Sequence, residues 1–240
     1  MPTSVKWVAE LANVREVSLF GEAELDFWKR RLTPEGLSPV AVNGRARVLI
    51  VSSEAKFWGL LFRELSFSVL VSPPPGAQGQ EAAFLLCAYN SNRFFAFCER
   101  RFFSTPYHHG EVALSPSAPA SVQMARNGEL AFRAKMGTAG AGSIREPSRR
   151  DEYRWEGPVF LPARPGGPSG PPRLFFARIQ GLTRSYPFIP DVDSLTFLPS
   201  AKDEVLQDLV DSGFVATEWA IRENAGHAKS KTYKRSKFFR

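Results

Sequence analysis

Apolar and polar residues alternate over much of this chain with the period of two that marks extended strands, and only two stretches carry the longer period of an amphipathic helix. The alternation is clearest from Phe57 to Val71. Leu61, Leu65, Phe67, Val69 and Val71 share one face with Arg63, while Phe62, Glu64, Ser66, Ser68 and Leu70 share the other. A face that mixes Glu and Ser with apolar residues either meets solvent, as one side of an antiparallel sheet commonly does, or lines a barrel interior that holds a polar ligand. Further strands are expected over Arg15 to Phe20, Ala46 to Val51, Tyr153 to Leu161, Leu174 to Leu182, Asp193 to Leu198 and Phe214 to Ile221. Asn127-Gly128 joins Ser121 to Arg126 with Glu129 to Met136 in a tight hairpin, and Asn43-Gly44 forms a similar turn. The apolar run Ala82 to Tyr89, the break at Asn90-Ser91-Asn92 and the segment Arg93 to Arg101 read as another hairpin.

The first helical stretch runs from Glu22 to Leu32, with Leu25, Trp28 and Leu32 on one stripe, acids early and Lys29, Arg30 and Arg31 late, as the helix dipole favours. Pro34 and Gly36 end it. The second starts at a Ser200/Asp203 cap, carries the stripe Val205, Leu206, Leu209 and Val210, and stops at Gly213. Pro73 to Gln80, Gly137 to Arg150 and Pro162 to Pro172 are too rich in Pro, Gly or Ser to continue a ladder; the last reads as a flexible surface insertion. The expected fold is mainly β, a β-rich α+β architecture whose antiparallel sheet is closed or nearly closed, with two or three peripheral helices.

Composition narrows this picture. A chain of 240 residues with 12% aromatics fits one large β domain, taken here as 1–228. No stretch reaches the roughly 20 apolar residues a spanning helix needs, and charges interrupt the N-terminal apolar residues before a secretory segment forms, so a cytoplasmic protein with no membrane partner is expected. Cys87 and Cys98 are too few for a disulfide framework. In the expected hairpin they lie on a diagonal about 7–8 Å apart, beyond disulfide reach. The net charge is +7, but Lys229, Lys231, Lys234, Arg235, Lys237 and Arg240 supply six positive charges in the last twelve residues. Residues 229–240 therefore read as a disordered, solvated tail, which leaves a nucleic-acid or acidic partner open without making it the favoured one. Phosphate-cradling glycine loops, Gly-x-Ser-x-Gly elbows and fixed-period repeats are absent, which removes most nucleotide-dependent and serine-hydrolase classes.

The order Trp58-Gly-Leu-Leu-Phe-Arg-Glu-Leu65, then an Arg/Glu cluster, then a loop with Pro106, is similar to the acetoacetate decarboxylase superfamily. Arg100-Arg-Phe-Phe-x-x-Pro-Tyr107 also resembles uncharacterised relatives grouped as DUF2071. The resemblance spans roughly Val14 to Lys135 and implies a cone-like antiparallel β-barrel. It implies that Glu64 matches the family's strand carboxylate and that Glu99 and Arg100 sit near its Arg-Glu segment in swapped order. In the decarboxylases a lysine after the proline forms an imine with a keto acid and a second lysine lowers its pKa. Here Tyr107 and His108 follow Pro106, and neither can form that imine, so the lysine route is not expected.

The loop Phe103 to Gly110 gathers Tyr107, His108 and His109, groups that exchange protons near neutral pH when a carboxylate orients them. The first functional expectation is a small-molecule site inside the barrel, with Arg93 or Arg100 gripping a carboxylate or enolisable ligand and His108, Tyr107, Glu64 or Glu99 acting as acid and base. His109, Phe62 and Trp58 complete the expected binding set. A non-catalytic ligand-binding or sensor barrel is the second expectation, and an interaction protein using the basic tail is the third. No cofactor is called for. Adjacent histidines in extended chain point apart, so no metal site is expected either. A homo-oligomer is left open.

Overall fold

The computed structural model describes residues 5–72, 81–138, 145–163, 172–200 and 203–238. The loop at 73–80, the middle of the Gly/Ser segment and the heart of the Pro/Gly insertion lie outside them. Seven strands form a closed circuit: β1 (Trp7–Glu24), β4 (Arg45–Phe57), β5 (Leu60–Ser72), β6 (Ala82–Asn90), β11 (Arg149–Leu161), β12 (Arg173–Pro187) and β14 (Val215–Ser230). Around the ring the order is β5, β4, β1, β14, β12, β11, β6, and β6 pairs back onto β5. Six of the seven pairings are antiparallel. The exception is β6 with β11, a parallel match of Ala83 with Val159 and Phe84 with Phe160, so the sheet is mixed where a purely antiparallel one was expected. Short strands β2 (Ser38–Pro39), β3 (Ala41–Val42), β7 (Tyr107–His109) and β15 (Tyr233–Lys234) extend it at the rim.

A second sheet has the order β13 (Ser194–Phe197), β10 (Glu129–Lys135), β9 (Ser121–Arg126) and β8 (Glu111–Ser115). It covers the outer face of the ring, where Phe132 of β10 meets Phe67 of β5 edge to face at 5.4 Å. The apolar face of β5 read from the sequence is therefore the one turned outward into this main core, with Leu65, Phe67, Val69 and Val71 all fully buried. Its mixed face lines the barrel interior. Helix α1 (Leu25–Leu32) buries Trp28 and Leu32, and α3 (Glu204–Asp211) buries Leu206 and Leu209. Asp203 occupies the cap position of α3, but its carboxylate accepts from Ser200 Oγ at 2.7 Å and not from the helix backbone. Gly213 stops α3 at φ 58°, and the Phe214 N–H bonds back to the Leu209 carbonyl at 3.1 Å. Asn127-Gly128 and Asn43-Gly44 both turn with positive φ at both residues, as tight hairpins require.

Three expectations change. The return strand Arg93 to Arg101 does not exist. Arg93–Cys98 is helix α2, continued by a π-helical turn at Glu99–Phe103. Asn92 starts it, its side-chain oxygen accepting from the backbone N–H groups of Phe94 at 3.0 Å and Phe95 at 3.3 Å. The consecutive aromatics of this segment have neither a period of two nor an obvious stripe, and the cap decides. With the hairpin goes the expected diagonal of Cys87 and Cys98. Both are free thiols; Cys87 is buried in the sheet, where burial pushes its pKa up to about 12, and Cys98 is half-buried on α2. Third, the basic segment 229–238 is ordered. Lys229 and Ser230 finish β14, Tyr233 and Lys234 pair with β12, and Phe238 packs on Phe176 at 4.9 Å. Aromatic anchors at Tyr233 and Phe238 hold a stretch whose charge alone suggested a solvated end.

Candidate functional site in the barrel interior

The ring encloses a cavity of about 630 Å³, mostly apolar, within the range of roughly 300–1,000 Å³ usual for small-molecule sites. Its walls come from the inward faces of the strands. On β5 these are Phe62, Glu64, Ser66, Ser68 and Leu70, the same five residues that alternation placed together. Of the two readings that face allowed, the structure selects the interior one.

Polar groups collect at one end. Tyr107, the first residue of β7, is buried, and its hydroxyl donates to Glu64 Oε1 at 2.5 Å. Asn90, at the end of β6, donates through Nδ2 to Glu64 Oε2 at 3.3 Å. Burial raises the Glu64 pKa above the ordinary carboxylate range, and the neighbouring Glu99 pushes the same way, while the Tyr107 hydrogen bond opposes them. Burial also carries the Tyr107 phenol well above its usual value, helped by Glu64 and Glu99. The pair is a carboxyl group biased toward holding a proton beside a phenol that does not give its own up, which suits proton exchange with a ligand.

Beside this pair, Lys229 reaches in from β14 and pairs with Glu99 of the π-turn. Thr105 Oγ1 donates to the same carboxylate oxygen, Glu99 Oε2, at 2.8 Å. Three rings surround the Lys229 ammonium: Phe175 at 4.7 Å, Tyr107 at 5.2 Å and Phe103 at 5.3 Å. Two residues earlier on the same strand, His227 also faces the cavity, its Nε2 at 2.6 Å from Glu16 Oε2. Glu16 is wholly buried behind the wall, where it also accepts from Arg222 and from Ser18.

Of the residues the sequence singled out, Glu64, Tyr107, Glu99, Phe62 and Trp58 line the cavity. His108, His109, Arg93 and Arg100 do not line it. His108 follows Tyr107 in a strand and so points to the opposite side, where its ring lies 5.8 Å from Tyr89. Burial there, with Arg126 and Arg100 nearby, lowers its pKa. Arg93 and Arg100 are exposed on the outside of α2 and the π-turn. Lys229, His227 and Asn90 are the site residues that sequence reasoning missed. Extending the strand beyond Ile221 would have put His227 and Lys229 on one face, but Ala225, Gly226 and Ala228 give that stretch no strand character. Among the described residues no three His, Cys, Asp or Glu side chains converge as a metal-binding group.

The Glu64 proton sets a testable pH dependence. Its folded-state pKa is raised, so the folded chain holds this proton more tightly than the unfolded chain does. The resulting stability is complete below the unfolded carboxyl pKa and is lost as pH rises through the folded one. Glu64→Gln keeps an acceptor for Tyr107 and removes the titration. The variant is expected to gain stability relative to the parent as pH rises and the parent's Glu64 gives up its proton, read by denaturant melts across a pH series.

No family model matches the chain, and no curated protein matches it either. Solved structures do. An acetoacetate decarboxylase aligns with a TM-score of 0.64 at 14% identity, over 97% of this chain and 89% of that one. The acetoacetate decarboxylase of Legionella pneumophila aligns at 0.63 and 14%, over 97% and 92%. The enduracididine biosynthesis enzyme MppR with HEPES bound aligns at 0.61 and 13%, over 96% and 86%, and MppR has also been seen complexed with pyruvate. At such identities the likeness is one of fold, and the fold is that of acetoacetate decarboxylase.

Proposed function

We propose that the chain is a small-molecule-binding barrel whose ligand is mostly apolar with a single carbonyl or enolisable head, and that the polar end of the cavity performs acid-base chemistry on that head. One observation carries this reading: Glu64 with Tyr107 and Lys229 with Glu99 stand together at one end of a mostly apolar enclosure. Lys229 is the only Lys or Arg among the described residues of the lining, and Glu99 already neutralises it. A ligand carboxylate would have to displace Glu99 and sit near Glu64, whereas a neutral carbonyl oxygen accepts from Tyr107 or Lys229 with no charge to displace. Of the two heads the sequence suggested, the carbonyl is the better match. In this reading Glu64 takes and returns a proton at the carbon next to that carbonyl. MppR, which shares the fold, binds pyruvate, a small keto acid.

Thermal-shift measurements with matched pairs test this. Medium-chain methyl ketones are expected to raise the unfolding midpoint, and carboxylates of the same length are expected to leave it unchanged. A shift with the carboxylates alone, or with neither, overturns the reading.

A second reading rests on Lys229 itself. The sequence lacks the family's lysine in the loop after Pro106, but β14 delivers an amine to the same enclosure. Once its proton passes to Glu99, the Lys229 nitrogen can add to a carbonyl carbon, and loss of water leaves an imine. Trapping with borohydride separates a covalently held head from one held by hydrogen bonds alone.

A further inference from the structure

We propose that the mouth of the barrel is a docking surface for an anionic lipid bilayer. The cavity opens between the β4–β5 turn and the α2/π-turn segment, and both present large apolar side chains to solvent. Trp58 is 79% exposed, Phe102 68% and Phe94 57%; Leu60, Leu61 and Phe97 are about half exposed. Trp58, Phe94 and Phe102 also line the cavity, so the opening runs through this rim.

Neither packing nor backbone geometry explains Trp58. Among the described residues its one ring partner is Phe57, at 4.6 Å, and its φ of 49° places it in the left-handed region that Asn or Gly would occupy without strain. A bulky residue kept in a strained, solvent-facing position points to an external role.

The charges around the rim decide what covers it. Arg93 and Arg101 are exposed between the phenylalanines and make no ion pair with any described residue, and Lys56 is exposed at the end of β4. The acids on the same elements are already committed: Glu99 pairs with Lys229, and buried Glu54 pairs with Arg15 and Arg63. The face is therefore apolar and positive. A second copy related by a two-fold axis would set the same arginines against each other. An anionic bilayer supplies the missing negative charge, and Trp, Phe and Leu flanked by Arg and Lys is the composition of an interfacial anchor. Among the described residues no helix is long and apolar enough to cross a membrane.

Sedimentation of the full chain with phosphatidylcholine vesicles, with and without phosphatidylserine, tests the proposal. Binding is expected only to the serine-containing vesicles, with release by salt. Trp58→Asn and the double substitution Arg93→Glu/Arg101→Glu are each expected to weaken it by about tenfold or more. Trp58→Asn gives this turn an Asn-Gly pair, so the fold is retained, and circular dichroism checks it. Absence of binding to either vesicle overturns the proposal. So does binding that both variants keep, or a lipid-independent dimer, seen by analytical ultracentrifugation, that Trp58→Asn abolishes.

Discussion

Arg222→Met is expected to destabilise the protein by about 3–5 kcal/mol, because it strands a carboxylate that nothing else can neutralise fully. Arg222 is 2% exposed and Glu16 0%. Their ion pair crosses from β14 to β1 within the wall of the barrel, with the guanidinium also 4.2 Å from the Tyr153 ring. Methionine fills the space and keeps contact with that ring but leaves Glu16 with only Ser18 and His227. Adding Glu16→Gln to Arg222→Met is expected to recover most of the loss, since the charge that needed a partner is gone. Chemical denaturation of the two single variants and the double variant measures the coupling. Acid titration reads the same group independently. Burial alone would raise the Glu16 pKa, but Arg222, His227 and Ser18 together bring it from 4.5 down to about 2. A depressed carboxyl pKa contributes stability that is complete above the unfolded value and disappears as pH falls through the folded one, here on the order of 3 kcal/mol between about pH 4.5 and 2. Glu16→Gln is expected to flatten that limb of the stability curve.

Lys229→Met, made together with Glu99→Gln so that no lone charge remains in the cavity, is expected to abolish borohydride-trapped adducts with methyl ketones and aldehydes. It is also expected to reduce any turnover of them by about a hundredfold to ten-thousandfold. Phe103, Tyr107 and Phe175 already enclose the lysine, and a methionine chain suits the same ring-lined slot. Intact-mass spectrometry after reduction gives the result directly: one added ligand mass on the parent and none on the variant. An adduct that survives in the variant assigns the chemistry to another amine and removes the imine reading. A parent that binds ketones yet traps none leaves Tyr107 and Glu64 as the groups holding the head.

Local pattern revealed those parts of the molecule in which neighbours in sequence act together. The division of β5 into an outward apolar face and an inward mixed one, the Asn-Gly turns, and the α3 stripe ending at Gly213 all follow from adjacent residues obeying one geometry. The helix after Asn92 was hidden because five consecutive residues, Phe94 to Cys98, are all apolar, and a run of that kind has no period to read. Half of the site was visible in local sequence: Glu64 announces itself by alternation, Tyr107 by its loop, and Glu99 by the Arg/Glu cluster of the family resemblance. The other half arrives from a strand more than a hundred residues away. Lys229 and His227 lie in a stretch of small residues next to a run of positive charge, and only pairing with β1 and β12 makes that stretch a strand. His108 was misassigned although strand parity already opposed it, since it and Tyr107 cannot face the same way.

The place of β14 between the first strand of the ring and β12 has a consequence for how the molecule is made. A nascent chain that has released everything up to α3 still has two unsatisfied sheet edges, one on β1 and one on β12, and an open trough in place of the cavity. Strand β14 stitches these edges together while bringing His227 and Lys229 to the cavity wall in the same step. Closure pairs Trp7 with Ser230, nearly the full length of the chain apart, which makes it a slow, entropically demanding event. Ribosome-bound fragments ending before Val215 would therefore be sticky, and the barrel would close only once β14 has emerged.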